Sequence, residues 1–145
     1  LGHRGYSYVR ANRWGIDFDA YAETANDQTV VIVMIESAQS VEAVGDMLAV
    51  EGVDGAIIGP YDLSGSYGVP GKLDHELLIL AQERVLQAGR DTRKVSGTNL
   101  IMPTKGGIED AIQRGFRLIA LGGDTMYMAP PARDFLDYAR NTASG

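Results

Sequence analysis

Two short apolar runs that do not alternate, VVIVMIE (30–36) and AIIG (56–59), constrain this chain more than any other feature. A strand with one wet face alternates apolar and polar residues, whereas a strand buried on both faces reads as a continuous β-branched run. Between the two runs lies SVEAVGDMLAVE (40–51), with Val41, Val44 and Leu48 at helical spacing. Strand, helix and strand with short connections is the pattern of a parallel β/α unit. The rest of the chain repeats it. DFDAYAETAND (17–27) predicts a polar amphipathic helix, and HELLILAQERVLQAG (75–89) a helix ending at Gly89. KVSGTNLIM (94–102) predicts a strand, KGGIEDAIQRG (105–115) a helix closed by glycine, and FRLIALGG (116–123) a strand. PPARDFLDYAR (130–140) predicts a last helix opened by proline. Residues 1–14 read as an irregular loop, and PYDLSGSYGVPGK (60–72) as a loop rich in Gly, Pro and Ser. The fold class is therefore α/β. About four β/α units make half of a (β/α)8 TIM barrel, which typically needs about 250 residues. On the pattern alone, a small open doubly wound sheet is the other solution, and no linker divides the chain.

Composition narrows the function classes. Nineteen acidic against thirteen basic side chains give a net charge of −6, which argues against a nucleic-acid surface and against a polybasic membrane anchor. No cysteine is present, so disulfides, thiolate zinc sites and cysteine nucleophiles are excluded, and a cytoplasmic location is expected. No apolar stretch approaches the roughly 20 residues of a membrane span. The chain opens on LGHRGYSYVR, without methionine and already patterned, as the interior of a longer protein would.

Glu36 closes the first run and Asp62 follows the second. In parallel β/α architectures the C-terminal ends of the strands share one face, and ligands bind there. Two hard oxygen donors at that face suit a divalent cation such as Mg²⁺ or Mn²⁺, and Co²⁺ also fits. Plainer roles are open to both: Glu36 could cap the following helix or pair with a cation, and Asp62 could cap a helix or close an Asx turn. Gly59-Pro60-Tyr61 leads into Asp62, and a Gly-Pro turn at a strand end needs no ligand.

VVIVMIES, VEGVDGAIIGPYDLSGSYGVPG and RGFRLIALGGDTMYM, with RGYSYVRANRWG upstream, resemble the HpcH/HpaI aldolase family. The resemblance covers essentially the whole chain, and GPYDLS paired with IES is its most specific part. It implies a (β/α)8 barrel of which residues 1–145 are the C-terminal part, with strands one to four outside the chain. It also implies a metal-dependent class II aldolase that cleaves a 4-hydroxy-2-oxo acid to pyruvate and an aldehyde through a metal-stabilised enolate. Glu36 and Asp62 fall on the family's metal ligands, and Gly59, Tyr61 and Asp62 on the turn that receives the substrate carboxylate. Pro60 has no N–H to offer. The catalytic base histidine and the substrate arginine of the family belong to the half outside this chain, so no catalytic residue is assigned here. A homo-oligomer is expected.

The chain departs from the family at Met34, where several members carry glutamine on the face shared with the metal glutamate; methionine donates no hydrogen bond. His3 and Arg4 match no family position and read as loop residues, and His75 as a helix cap. Asp124 reads as a turn cap, Trp14 and Tyr6 as packing residues, and Ser64, Gly65 and Ser66 as loop without chemistry. Lys72, Lys94 and Lys105 lie where no Schiff base is expected. Three further readings stay open: a citrate lyase β or malyl-CoA type lyase, a non-catalytic module binding metal and 2-oxo acid, and a bare fragment that has lost function. A half-barrel leaves two sheet edges unpaired, so the isolated chain is expected to self-associate.

Overall fold

The computed structural model describes residues 7–143, which fall into two compact units divided between Val30 and Val31. The smaller unit is a turn and a helix. Its 3₁₀ segment Arg10–Gly15 is organised by Asn12, which is fully buried. The Asn12 carboxamide accepts from the N–H groups of Val9 (3.0 Å) and Gly15 (3.1 Å) and donates to the Ser7 carbonyl (2.7 Å). The expected irregular loop is thus ordered around one side chain, while His3, Arg4 and Tyr6 lie outside the described residues. Trp14 does not pack as expected: it is 69 % exposed on a left-handed backbone. Helix α1 (Phe18–Gln28) follows, close to its expected span.

The larger unit is a parallel sheet with helices. Strands β1 (Ile32–Ile35), β2 (Gly55–Ile58), β3 (Val95–Leu100) and β4 (Leu118–Leu121) pair in sequence order. The register sets Ile35 beside Ile58, Ile58 beside Thr98, and Thr98 beside Ile119. Sequential order belongs to a sheet that curls one way; a doubly wound sheet reverses its order at a switch point. The core lies on one face, where Ile35, Ala56 and Ile58 pack with Val44, Leu48, Leu78, Ala81 and Val85. On the opposite face Met34 is 53 % exposed and Ile32 and Ile57 are half-buried.

Several helices differ from the sequence expectation. The 40–51 helix is two, α2 (Ala38–Glu42) and α3 (Val44–Ala49), broken at Ala43 where ψ is 1°. The expected loop 60–72 begins instead with helix α4 (Pro60–Ser66), proline taking its first position. Helix α5 (Glu76–Thr92) runs past Gly89 to a left-handed cap at Arg93. Gly89 is no terminator: a Cβ there would sit 2.1 Å from Ser96 Oγ, so the glycine lets α5 lie against β3. Helix α6 (Lys105–Arg114) ends at Gly115 with φ 108°, as expected. Helix α7 (Asp124–Ala143) starts before its prolines and carries Pro130 and Pro131 inside.

Candidate functional site

Glu36 is the first residue after β1, and the ladder continues past it, since the Gly59 N–H donates to the Ile35 carbonyl at 3.1 Å. Asp62 is the third residue of α4, just beyond β2. Both carboxylates are exposed at the C-terminal end of neighbouring strands. The plainer roles open to them are filled by other residues. Ser37 caps α2, its hydroxyl accepting from the Ser40 N–H at 3.1 Å. Gly59 is the N-cap of α4, its carbonyl accepting from Leu63. The described ion pairs are Arg13–Asp17, Arg114–Asp110 and Arg140–Asp137, so no described cation pairs with Glu36 or Asp62.

Gly59 keeps the space between the strands open. A Cβ built on it would meet Glu36 Cγ at 2.9 Å and Oε1 at 3.1 Å, so the Glu36 side chain lies across the bare backbone of β2. The first turn of α4 adds two donors. Its hydrogen-bond ladder begins at Leu63, which leaves the N–H groups of Tyr61 and Asp62 outside it. Asp62 in that turn is favourably placed in the field of the helix dipole. Met34 faces the same side as Glu36 by strand alternation and brings only apolar surface.

The remaining candidates are structural. His75 caps α5, its Nδ1 accepting from the Leu77 N–H at 3.3 Å. Asp124 opens α7 and accepts from the Thr125 N–H at 2.7 Å. Ser64 is buried, donating to the Tyr61 carbonyl (2.6 Å) and accepting from the Gly71 N–H (2.8 Å). Ser66 accepts from the Ala38 N–H at 2.9 Å and so ties α4 to the start of α2. Lys72 lies in a loop, Lys94 just before β3, and Lys105 at the start of α6.

One polar residue on the site's side of the sheet was not singled out from sequence. Asn99 stands on β3 opposite Ala120, and its buried Oδ1 has no hydrogen-bond partner. The signal was a polar residue at the right alternation in VSGTNL, but only the register shows which strand end it shares. Among the described residues no three His, Cys, Asp or Glu side chains cluster as a metal cage. Two carboxylates suffice for Mg²⁺, which keeps several waters and binds through one or two carboxylates plus substrate. A cavity of about 260 Å³ lies elsewhere, lined by Glu42 and Asp46 near α2 and α3 and by Arg84 and Asp91 of α5. It touches neither Glu36 nor Asp62.

The chain matches the family model described as HpcH/HpaI aldolase/citrate lyase over residues 3–131. It is 36 % identical over 128 residues to 2-keto-3-deoxy-L-rhamnonate aldolase of Salmonella dublin, covering 87 % of this chain and 47 % of that protein. The chain thus spans about half the length of the curated relatives it matches. Its fold superposes with a TM-score of 0.79 on an HpcH/HpaI aldolase/citrate lyase family protein from Burkholderia cenocepacia J2315, at 34 % identity, covering 96 % of this chain and 53 % of that one. The HpcH/HpaI aldolase of Desulfitobacterium hafniense DCB-2 superposes equally well, with a TM-score of 0.79 at 24 % identity, covering 97 % of this chain and 54 % of that one. No described helix is long and apolar enough to cross a membrane. On its sequence match and its fold together, the chain belongs to the HpcH/HpaI aldolase/citrate lyase family.

Proposed function

We propose that this chain carries the metal and substrate-carboxylate half of a class II pyruvate aldolase site, within a (β/α)8 barrel completed by residues outside it. The observation that carries the reading is that Glu36 and Asp62, both exposed, follow the C-terminal ends of neighbouring parallel strands while Ser37 and Gly59 do the capping. Glu36 and Asp62 would hold Mg²⁺ or Mn²⁺, or Co²⁺, through hard oxygen donors. When bound, such a cation supplies Lewis-acid polarisation of the 2-oxo carbonyl.

The chain's own residues do the rest of the positioning. The Tyr61 and Asp62 N–H groups donate to the substrate carboxylate, as the first turn of a helix does for an anion. Gly59 lets the Glu36 side chain, and with it the bound cation and ligand, lie close to the end of β2. In the cleavage direction the C3–C4 bond of a 4-hydroxy-2-oxo acid breaks. Its electron pair stays on C3, the hydroxyl proton goes to a base, and an aldehyde leaves. His75 is committed to its cap, and the base is expected from a histidine of the barrel half outside this chain. The complete enzyme is expected to be a cytoplasmic homo-oligomer.

The test is exchange of pyruvate C3 protons into D₂O, followed by NMR, on the full-length protein with and without Mn²⁺ or Mg²⁺. Metal-dependent exchange, lost in Glu36→Gln and in Asp62→Asn, is the expected result. Turnover of acyl-CoA substrates without pyruvate exchange would move the assignment to a CoA-dependent lyase. Metal and pyruvate binding with neither activity would leave a binding module.

A further inference from the structure

Asn99 occupies a place that the metal pair does not explain. The register sets Ile35 beside Ile58 and Ile58 beside Thr98. Carried one residue on, Glu36, Gly59 and Asn99 form one row at the C-terminal edge of the sheet, with Ala120 next to Asn99. Ser96 faces α5, because its hydroxyl donates to the Val85 carbonyl at 3.1 Å. Alternation then puts Thr98 on that covered face and Asn99 on the opposite one, with Met34 and Glu36. Between Glu36 and Asn99 the row holds only Gly59, whose missing side chain is where the Glu36 carboxylate leans.

Among the described residues the buried Asn99 carboxamide oxygen has no partner. Buried polar atoms are nearly always paired, so an orphan at the strand-end face calls for a partner, and a ligand bound there would supply one. A carboxamide both donates and accepts. The carboxylate and 2-oxo ends of the proposed substrate only accept. Its C4 oxygen does both in turn, as a hydroxyl before cleavage and as an aldehyde carbonyl afterwards.

We infer, resting on the aldolase reading, that Asn99 is a substrate-positioning residue whose carboxamide hydrogen-bonds the C4 oxygen of the substrate. The ligand's carboxylate end lies at the start of α4, and its aldehyde end extends past the Glu36 carboxylate towards β3. Asn99 thereby selects for aldehydes presented with that oxygen towards β3. It takes no part in metal binding or in enolisation of pyruvate.

The experiment compares Asn99→Leu and Asn99→Ser with the parent in the full-length protein, using three readouts: Mn²⁺ affinity by electron paramagnetic resonance, metal-dependent C3 exchange of pyruvate, and aldol addition of pyruvate to glycolaldehyde. The expected result for Asn99→Leu is Mn²⁺ affinity and exchange within about twofold of the parent, while KM for glycolaldehyde rises at least about tenfold, the loss of one substrate hydrogen bond. Asn99→Ser, which keeps a donor and an acceptor, restores part of that loss. The thermal midpoint of Asn99→Leu is unchanged or higher by about 2–4 °C, because an unpaired buried amide is replaced by an apolar group. A drop in Mn²⁺ affinity would make Asn99 a metal ligand and overturn the inference, as would an unchanged KM. A parent that shows no metal-dependent exchange would overturn the aldolase reading, and the inference with it.

Discussion

Glu36, Asp62 and Gly59 show how a short site can be read one side chain at a time. Neither carboxylate caps a helix or pairs with a described cation, so removing either should cost the fold little and the chemistry much. Glu36→Gln and Asp62→Asn are expected to keep the parent's thermal midpoint within about 2 °C. Each should lower metal-dependent pyruvate exchange by about 100-fold or more, since even indirect changes around a metal cost 10–100-fold. Gly59→Ala separates the two effects differently. Its Cβ would contact the Glu36 side chain at 2.9 Å, and that side chain is exposed and can swing away. Differential scanning fluorimetry should find the variant folded, while titration with Mn²⁺ finds affinity weakened by about tenfold because Glu36 is displaced. Both carboxylates were legible as strand-end donors in the sequence. Their freedom from capping was not, because Ser37 and Gly59 are equally good caps on paper and only the folded backbone selects among neighbours.

At the scale of elements, close approach between α5 and β3 depends on Gly89. A methyl group there would meet Ser96 Oγ at 2.1 Å and the Lys94 carbonyl at 3.1 Å. Gly89→Ala is therefore expected to destabilise the chain by about 1–3 kcal/mol through overpacking, despite alanine's better helix propensity; urea unfolding would measure it. A smaller loss, about 1 kcal/mol, is expected for Thr104→Ala, which removes the cap that accepts the Gly107 N–H at 3.0 Å. The strands and most helices were legible as apolar runs and helical periodicity. The misplacements have local causes. A periodic window does not register the turn at Ala43, where the helix stops and restarts. Gly89 looked like a terminator because glycine ends helices, yet here it serves packing. Pro60 looked like a turn residue and is instead the first residue of α4. Pro130 and Pro131 looked like a helix start, but α7 begins at Asp124 and runs through them, forgoing two N–H donors to the Met126 and Tyr127 carbonyls.

At the scale of the molecule, the larger unit is a four-stranded parallel sheet in sequence order with its core on one face. Among the described strands, β1 and β4 are its edges. The opposite face presents Met34, and α7 presents Met128, Phe135 and Tyr138, all exposed. Unpaired parallel edges and exposed apolar side chains favour association. The isolated 145-residue chain is expected to elute as a dimer or larger species in size-exclusion chromatography with light scattering. On the proposed half-barrel reading, co-expression with the remaining strands should restore a discrete assembly. A monodisperse, active monomer of the chain alone would contradict the half-barrel reading.

The sequence by itself determined the β/α alternation, the parallel sheet and the two carboxylates at its strand ends, because these follow from local periodicity and from residue chemistry. It also carried the family, since GPYDLS and IES are readable without coordinates. Only the tertiary structure decided which residues cap, why Gly89 is glycine, and that Glu36, Gly59 and Asn99 stand in one row. Register is set by hydrogen bonds between strands up to about 40 residues apart in the chain, and no window along the sequence contains that information.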